Sequence, residues 1–198
     1  MIHPATELRL VDPEIGCGVF ATAPIACGTI VWILCRFDLI FTPREAAALP
    51  APYQPIIEKY AYVDADGNQI LCWDNGRYVN HSCDPAMLGV GRGFEIAVRD
   101  IPRGEQITCD YGGLNLTTEL ACRCGAPACR GTIGGDDVLR RWPELDARTA
   151  AALRHARRVT QPLLPFARDA AMFWDWADGR VAVPSHRAFH AAARADAS

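Results

Sequence analysis

Residues 77–85 read Arg77-Tyr78-Val79-Asn80-His81-Ser82-Cys83-Asp84-Pro85, and this stretch is the central motif of the chain. Within it, Asn80 and His81 place an amide beside an imidazole in a short segment, so that side chains and backbone together offer donors and acceptors. Such a pair either binds a polar ligand or only ties its own loop together. The motifs on either side of the stretch favour the first reading.

Three other motifs accompany this stretch. Upstream, Gly16-Cys17-Gly18 sets two glycines around one residue, which lets the backbone pass close to a ligand and leaves amide groups free to point at it. Downstream, Asp110-Tyr111 ends an alternating segment, and a Cys-x-Cys-x4-Cys cluster follows. A paired-glycine turn alone is a weak signal, but four motifs in one order are poorly explained by chance.

In combination, these motifs resemble the signature of the SET-domain protein lysine methyltransferases, and the cysteine cluster resembles the zinc-binding post-SET segment of that family. The resemblance implies the SET-domain fold, which is mainly β with small sheets and short helices. It also implies a knot-like crossing, in which the segment before Tyr111 threads the loop around the central stretch, although most folds avoid such crossings. Residues 5–115 are expected to form the SET domain, and residues 116–135 the post-SET segment.

The resemblance further implies that S-adenosylmethionine is the methyl donor. Its contacts are expected at the residues that match the family's motifs, namely Gly16, Cys17, Gly18, Arg77, Asn80, His81 and Tyr111. Tyr111 is also the expected catalytic residue, since a phenol at this position can hydrogen-bond near the methyl group and the incoming nitrogen and orient both. The alternative is a tyrosine that only fills the core.

The expected substrate is a lysine of a histone or of another protein. Its amine has a reference pKa of about 10.4 and cannot attack while protonated, so a narrow channel beside the positive sulfonium must favour the neutral form. In the family an aromatic residue walls this channel. Either Tyr60 or Tyr62 fits that role, although filling a strand is the commoner one. Cys109 stands where relatives usually carry tyrosine or phenylalanine, and its small size predicts room for di- or trimethyllysine.

The cysteine cluster predicts a structural zinc site. Cys122, Cys124 and Cys129 supply three thiolates, one short of the four ligands that such a site takes. The resemblance implies that Cys83 is the fourth ligand, so that zinc would fasten the segment after the core to the cofactor loop and add its binding free energy to folding. The alternative is three buried free cysteines.

Composition limits the other classes of function. The chain is 50% hydrophobic and 22% charged with a net charge of -3, so it should be globular and carries no basic footprint for direct binding of nucleic acid. Its start lacks the pattern of a signal peptide, and no apolar run reaches the length of a membrane span. We therefore expect a soluble intracellular protein, cytoplasmic or nuclear, with secretion into a host left open. Nine cysteines without a secretory signal favour thiols and metal over a disulfide framework.

Local patterns predict the elements of the chain. Strands are expected at residues 7–11, 29–34, 37–41 and 94–99, and a hairpin should pair residues 60–63 with residues 69–73. A capping box at Thr42 and Glu45 predicts a short helix over residues 45–49. A helical extension is expected over residues 136–198, with helices at 144–159 and 166–176 and a tail that frays from about Ser185.

The aromatic side chains of the second of these helices should not stay in water. We expect them to dock on the core, and covering the cofactor site or mediating self-association are the alternatives. The oligomeric state is not specified by the sequence. A different class of function is a catalytically inactive SET module that serves as a zinc-stabilised peptide-binding or scaffold protein. Retention of the cofactor-contact residues argues against it.

Overall fold

The computed structural model describes residues 1–190 of the chain, and these residues form many short elements. The strands, in chain order, are β1 (Thr6–Asp12), β2 (Gly16–Ala21), β3 (Ile30–Ile33), β4 (Leu39–Phe41), β5 (Ala61–Val63), β6 (Gln69–Leu71), β7 (Asn80–His81), β8 (Met87–Val90), β9 (Phe94–Ala97), β10 (Gln106–Cys109), β11 (Leu120–Ala121) and β12 (Thr132–Ile133). The α-helices are α1 (Pro43–Ala47), α2 (Gln54–Tyr60), α3 (Asp137–Leu153) and α4 (Ala170–Ala177). Short 3-10 turns lie at Ala51–Tyr53, Asn75–Tyr78, Tyr111–Gly113, Ala156–Arg158, Leu164–Phe166 and His186–Phe189. The expected fold of small β-sheets with short helices is confirmed.

The strands form small sheets with the spatial orders β1-β2-β10-β7, β3-β9-β8, β4-β6-β5 and β11-β12. In the first sheet, β10 pairs antiparallel with β2 on one side and parallel with β7 on the other. The parallel register sets Thr108 beside Asn80 and Cys109 beside His81. The central sequence motif therefore lies directly against the strand that leads into Tyr111.

The predicted hairpin is present, but its first strand is shorter than expected. β5 pairs antiparallel with β6, whereas Tyr60 ends α2 and is not part of the strand. Sequence reasoning missed α2 because the segment before it is rich in proline. Pro55 lies in the first turn of this helix, where its missing N–H has no helical partner to lose. The capping box of Thr42 and Glu45 is present as predicted, and α1 begins at Pro43 behind it.

The first helix of the C-terminal extension begins earlier than predicted. α3 starts at Asp137, seven residues before the predicted start at residue 144, and contains Pro143. The proline removes one main-chain hydrogen bond. Val138 and Leu145, on either side of it, are buried against Leu88 and keep the helix in place. Of the helices within residues 1–190, none has the length and apolar character needed to span a membrane.

Residues 185–190, where fraying was expected to begin, are held by specific contacts. Ser185 caps a 3-10 turn, His186–Phe189, where fraying was expected. The main-chain N–H of His186 donates to Asp146 Oδ1 on α3 at 2.8 Å, and its ring Nδ1 lies 2.7 Å from the same oxygen. The predicted fraying is therefore wrong for residues 185–190, and the rest of the predicted tail lies outside the described residues.

The aromatic side chains of α4 dock on the core, as expected. Asp169 caps this helix by accepting the main-chain N–H of Met172, so it begins after the predicted residue 166. Phe173 is fully buried, and its ring centroid lies 5.2 Å from that of Phe94 in β9. Trp176 meets the same ring edge-on at 6.2 Å. Apolar packing thus anchors the extension to one face of the β3-β9-β8 sheet.

A buried carboxylate joins three separate parts of the chain. Asp110, the residue before Tyr111, accepts hydrogen bonds from Arg130 Nη2 and from Arg141 Nη1, each at 2.5 Å. Arg130 lies in the cysteine-rich segment and Arg141 on α3, and Arg130 also pairs with Asp137 at 3.1 Å. The strand that leads into Tyr111, the cysteine segment and the C-terminal helix are therefore held by one network that the sequence analysis did not anticipate.

Phe173→Ala is expected to lower the free energy of unfolding by about 3–5 kcal/mol, because it removes a buried ring and leaves a cavity beside Phe94. Phe166→Ala makes the same change at a ring that is 59% exposed and should alter this free energy by less than about 0.5 kcal/mol. Urea unfolding of both variants measures the difference. Equal effects would contradict the anchoring role of Phe173.

Asp110→Asn is expected to lower the free energy of unfolding by about 3–5 kcal/mol, because two guanidinium groups lose their buried partner. Asp178→Asn is the matched control, since Asp178 also pairs with two arginines but in an exposed network. Screening by water should make its effect much smaller. A similar loss of stability in the two variants, measured by the same urea unfolding, would argue against a special role for Asp110.

Candidate functional site

Tyr111 stands at the start of a short turn that its neighbour fixes. Asp110 Oδ1 accepts the main-chain N–H of Gly112 at 2.9 Å and so caps the turn Tyr111–Gly113. The Tyr111 hydroxyl donates to the carbonyl of Val79 at 2.7 Å. Burial, with the nearby Cys109 and Glu95, raises the pKa of Tyr111 well above its ordinary value, so the phenol stays protonated and remains a donor at neutral pH.

The Gly16-Cys17-Gly18 loop is packed against the central motif. A Cβ on Gly18 would lie 2.3 Å from Gln106 Nε2 and 2.9 Å from Asn80 Nδ2, so any larger residue here would displace these two amide groups. Asn80 Nδ2 donates to the carbonyl of Cys17 at 3.1 Å. Asn80 therefore does tie the two loops together, which was the simpler of the two readings of this residue. The contact leaves the side-chain oxygen of Asn80 available to a ligand.

His81 links Tyr111 to the cysteine cluster. Its Nδ1 accepts the main-chain N–H of Tyr111 at 3.2 Å, and its Nε2 lies 3.3 Å from Cys83 Sγ. Burial lowers the pKa of His81 to about 4, with Asp110 opposing and Arg130 reinforcing the shift. The ring is thus neutral at physiological pH. Because Nδ1 accepts, these hydrogen bonds assign the ring proton to Nε2, which donates to the sulfur of Cys83.

The cysteines predicted to bind zinc lie together in the structure. Cys122 Sγ is 3.8 Å from Cys83 Sγ and 3.6 Å from Cys129 Sγ, and the main-chain N–H of Cys83 donates to Cys124 Sγ at 3.4 Å. The ligand atoms of Cys83, Cys122, Cys124 and also His81 lie within 4.8 Å of one another. The place of His81 beside this group was not predicted from the sequence.

Cys124 is more acidic than an ordinary cysteine. Burial acts to raise the pKa of Cys124, but hydrogen bonds from the main-chain N–H groups of Cys83 and Ala126 and from neighbouring thiols outweigh it and lower the pKa to about 6. Cys124 is therefore a thiolate at neutral pH, the form of cysteine that binds metal. The cluster has the chemistry of a soft-metal site.

A cavity of about 930 Å³ opens beside Tyr111. The predicted site residues among its lining are Tyr60, Tyr62, Arg77, Cys109 and Tyr111. Both tyrosines considered for the channel line it, so the structure does not choose between them. The glycine loop, Asn80 and His81 lie outside this lining. The predicted site residues thus divide into a group that lines the cavity and a group that does not.

Sequence reasoning missed several residues of the cavity. His186 and Phe189, from the segment expected to fray, form part of its wall. Glu95 also lines it, and burial raises the pKa of Glu95 to about 7 against the opposing charge of the N-terminal amine. The alternation of this segment predicted a strand over residues 94–99 and gave Glu95 no role. Only the tertiary packing shows that this face of the strand looks into the cavity.

The comparisons with known proteins agree with this architecture. Residues 16–112 match the family model described as "SET domain". Over 147 residues, 68% of this chain, the sequence is 31% identical to "Histone-lysine N-methyltransferase ash1" of Drosophila melanogaster. Over 144 residues, 67% of this chain, it is 32% identical to "Histone-lysine N-methyltransferase ATX2" of Arabidopsis thaliana. The matches span only 6% and 13% of the lengths of these two relatives.

Solved structures include a similar chain in "crystal structure of KRYPTONITE in complex with mCHG DNA and SAH". Its TM-score is 0.47 at 22% identity, with 64% of this chain and 29% of that chain covered. The match over residues 16–112 assigns this part of the chain to the SET-domain family, and the relatives above are histone-lysine N-methyltransferases.

Proposed function

We propose that this protein is an S-adenosylmethionine-dependent protein lysine N-methyltransferase. The observation that carries the proposal is the placement of the Tyr111 hydroxyl, which donates to the Val79 carbonyl at the wall of a cavity lined by Tyr60 and Tyr62. A cavity with aromatic walls suits the apolar stem of a lysine side chain. The polar groups of Tyr111 and Val79 suit the reacting end of that side chain.

The residues around the glycine loop fit S-adenosylmethionine, which would supply a methyl group on a positive sulfonium. Two buried donors here, Gln106 Nε2 and Arg77 Nε, have no hydrogen-bond partner within the described part of the chain. Gln106 Nε2 adjoins Gly18, and an added Cβ on Gly16 would meet open space. Unpaired buried donors beside an open glycine favour an anionic group such as a carboxylate. Cys17, Asn80 and His81 complete the proposed contacts.

The chain's own residues would favour the neutral amine and orient it. Desolvation in the cavity and the positive charge of the methyl donor both act against an ammonium. The Tyr111 phenol would then hold the amine nitrogen in line with the methyl group, and such positioning lowers the barrier by restricting motion before the reaction. Cys109, which is buried and lines the cavity, leaves space around that nitrogen.

The proposed substrate is a lysine in a histone or in another protein. Histone-lysine methyltransferase relatives favour a histone, and a histone substrate would place the protein in the nucleus. A net charge of -3 suits a basic substrate tail rather than direct contact with nucleic acid. Residues 5–115 would carry the reaction, residues 116–135 the metal, and the extension over 136–198 part of the cavity wall.

Tyr111→Phe is expected to reduce methyl transfer at least about tenfold, because the phenol loses a hydrogen bond worth about 1.4 kcal/mol or more in the transition state. Transfer of radiolabelled methyl from S-adenosylmethionine into histones and into a lysate measures the effect. Tyr53→Phe, at a tyrosine that is 54% exposed, is the matched control and should leave the rate unchanged.

Two results of this assay would count against the proposal. Label that persists undiminished in Tyr111→Phe would remove this residue from the chemistry. No label on any protein, from folded and zinc-loaded wild type, would favour the inactive SET module as a peptide-binding or scaffold protein. Calorimetry with S-adenosylmethionine would then show whether the cofactor site is retained.

We also propose that a structural zinc ion is held by the four thiolates of Cys83, Cys122, Cys124 and Cys129. His81 is not proposed as a ligand, because the ring proton assigned to Nε2 points at the sulfur of Cys83 and leaves no lone pair there for a metal. It would instead donate to a ligand, as groups around zinc sites commonly do.

Purification without chelator is expected to yield one zinc ion per chain by elemental analysis, since four thiolates complete a closed site. Cys129→Ser should lose most of this zinc, whereas Cys27→Ser, at a thiol outside the cluster, should keep it. His81→Asn should retain zinc if the ring only donates to Cys83. Wild type without zinc would overturn the site, and loss of zinc from His81→Asn alone would make the imidazole a ligand.

A further inference from the structure

Glu95 is a carboxylate placed inside the cavity by the register of its strand. In the β3-β9-β8 sheet it stands opposite Trp32 on one side and Gly89 on the other. Trp32 and Gly89 both line the cavity, and a Cβ added to Gly89 would meet no atom within 4 Å. The glycine leaves open space next to Glu95. The side chain therefore faces the cavity where a larger neighbour would have covered it.

The Glu95 carboxylate has no partner of its own. Within residues 1–190 it makes no hydrogen bond and no ion pair, while other carboxylates around it are engaged. Glu95 is half-buried, and a carboxylate partly withdrawn from water is costly unless a cation or a donor compensates for the lost hydration. The absence of a partner inside the described chain points to a compensating group that arrives with the substrate.

The groups that face Glu95 do not supply that compensation. The titratable side chains that feel the charge of Glu95 are Tyr62, Cys109 and Tyr111, and the N-terminal amine of Met1 acts on Glu95 in turn. Burial raises the pKa of each of these three side chains, so all three are neutral at physiological pH. The cation that acts on Glu95, the N-terminal amine of Met1, already has partners: it donates to the Ile33 carbonyl and lies 3.8 Å from the Asp38 carboxylate.

Glu95 and Tyr111 act on the same part of the cavity. The charge of Glu95 contributes to the raised pKa of Tyr62, Cys109 and Tyr111, so the carboxylate is near all three. Cys109 lines the cavity with a small side chain, so no ring at this position separates Glu95 from the space beside Tyr111. A cation at the end of a lysine side chain in this space would approach both residues.

We propose that Glu95 binds the ammonium group of the incoming lysine and accepts its proton before methyl transfer. This inference rests on the proposed methyltransferase function. A carboxylate whose pKa is raised to about 7 can take a proton at physiological pH and release it again, as a general base must. Glu95 would thus produce the neutral amine that the reaction needs. Desolvation alone also disfavours the ammonium, but it does so by opposing entry of the charged lysine into the cavity.

The proposed step moves one proton and one methyl group. The lysine ammonium gives one proton to the Glu95 carboxylate and becomes a neutral amine. The amine nitrogen uses its lone pair to form the new N–C bond, while the S–C bond of the methyl donor breaks and leaves its electron pair on sulfur. The product is a methylammonium, and the proton on Glu95 leaves through the cavity to water. One proton is released for each methyl group transferred.

The first test measures binding without the reaction and uses n-butylamine, which reproduces the amine end of lysine, and n-butanol as its uncharged match. Glu95→Gln removes the charge with little change in shape, and Glu58→Gln does the same at an exposed carboxylate of the same cavity. NMR titration of carboxyl-labelled protein should show a Glu95 signal that titrates near pH 7 and moves with butylamine. Glu95→Gln should weaken butylamine binding at least fivefold and leave butanol binding unchanged.

The second test follows the pH dependence of methyl transfer into the protein that is labelled most strongly in the radiolabel assay. In wild type, kcat should rise with pH and level off above about pH 7, where Glu95 is ionised. Glu95→Gln should lose at least tenfold in kcat at pH 7 and should keep rising at higher pH, because the amine must then lose its proton to water. Glu95→Asp, which keeps the charge on a shorter stem, should recover part of the loss.

The outcomes separate the two proposals. If no protein is labelled but butylamine still binds through Glu95, the methyltransferase function fails while the cation site stands. If protein is labelled and Glu95→Gln matches Glu58→Gln in both butylamine affinity and pH profile, the role of Glu95 is overturned. Thermal melting of each variant checks that it is folded, and Glu95→Asp remains informative if the glutamine variant is not.

Discussion

The buried carboxylate of Asp110 is the constraint on which the rest of the site depends. It receives two guanidinium groups from distant parts of the chain and at the same time caps the turn that carries Tyr111. A buried charge of this kind is tolerated only with close partners of opposite charge. The orientation of Tyr111 is therefore coupled to Arg130 in the cysteine segment and to Arg141 on α3, and neither partner touches the cavity end of the phenol.

His81 provides a second route between the same parts. One ring nitrogen receives the main-chain N–H of Tyr111, and the other faces Cys83 in the metal cluster. Metal bound by the cysteines would fix the ring, and the ring would fix the backbone at the proposed catalytic residue. Structural zinc and catalysis would then be linked through hydrogen bonds, although the metal takes no part in the chemistry.

Sequence reasoning located the parts of the site that depend on short, ordered motifs. The cysteines, Asn80, His81 and Tyr111 were placed in one region because their spacing resembles that of a known family, and the parallel pairing of β7 with β10 brings them side by side. Local rules failed where tertiary packing overrides them. Pro143 lies inside a helix because the turns on both sides of it are buried. Ser185 begins an ordered turn because Asp146 accepts the main-chain N–H of His186 in that turn. Glu95 was missed for the same reason, since alternation along a strand does not say which face meets a cavity.

The β3-β9-β8 sheet contacts both the C-terminal extension and the cavity. Phe94 and Ile96 lie in the buried cluster that contains Phe173 of α4, while Glu95 between them lines the cavity, as Phe94 also does. A sheet of three short strands has little rigidity of its own. The C-terminal extension packs against this sheet and supports it. The packing of the extension therefore affects how accurately the Glu95 carboxylate is oriented. New substrate preferences in such a chain would therefore arise by substitutions in either of two places. One is the cavity wall, and the other is the buried apolar surface between the sheet and the extension.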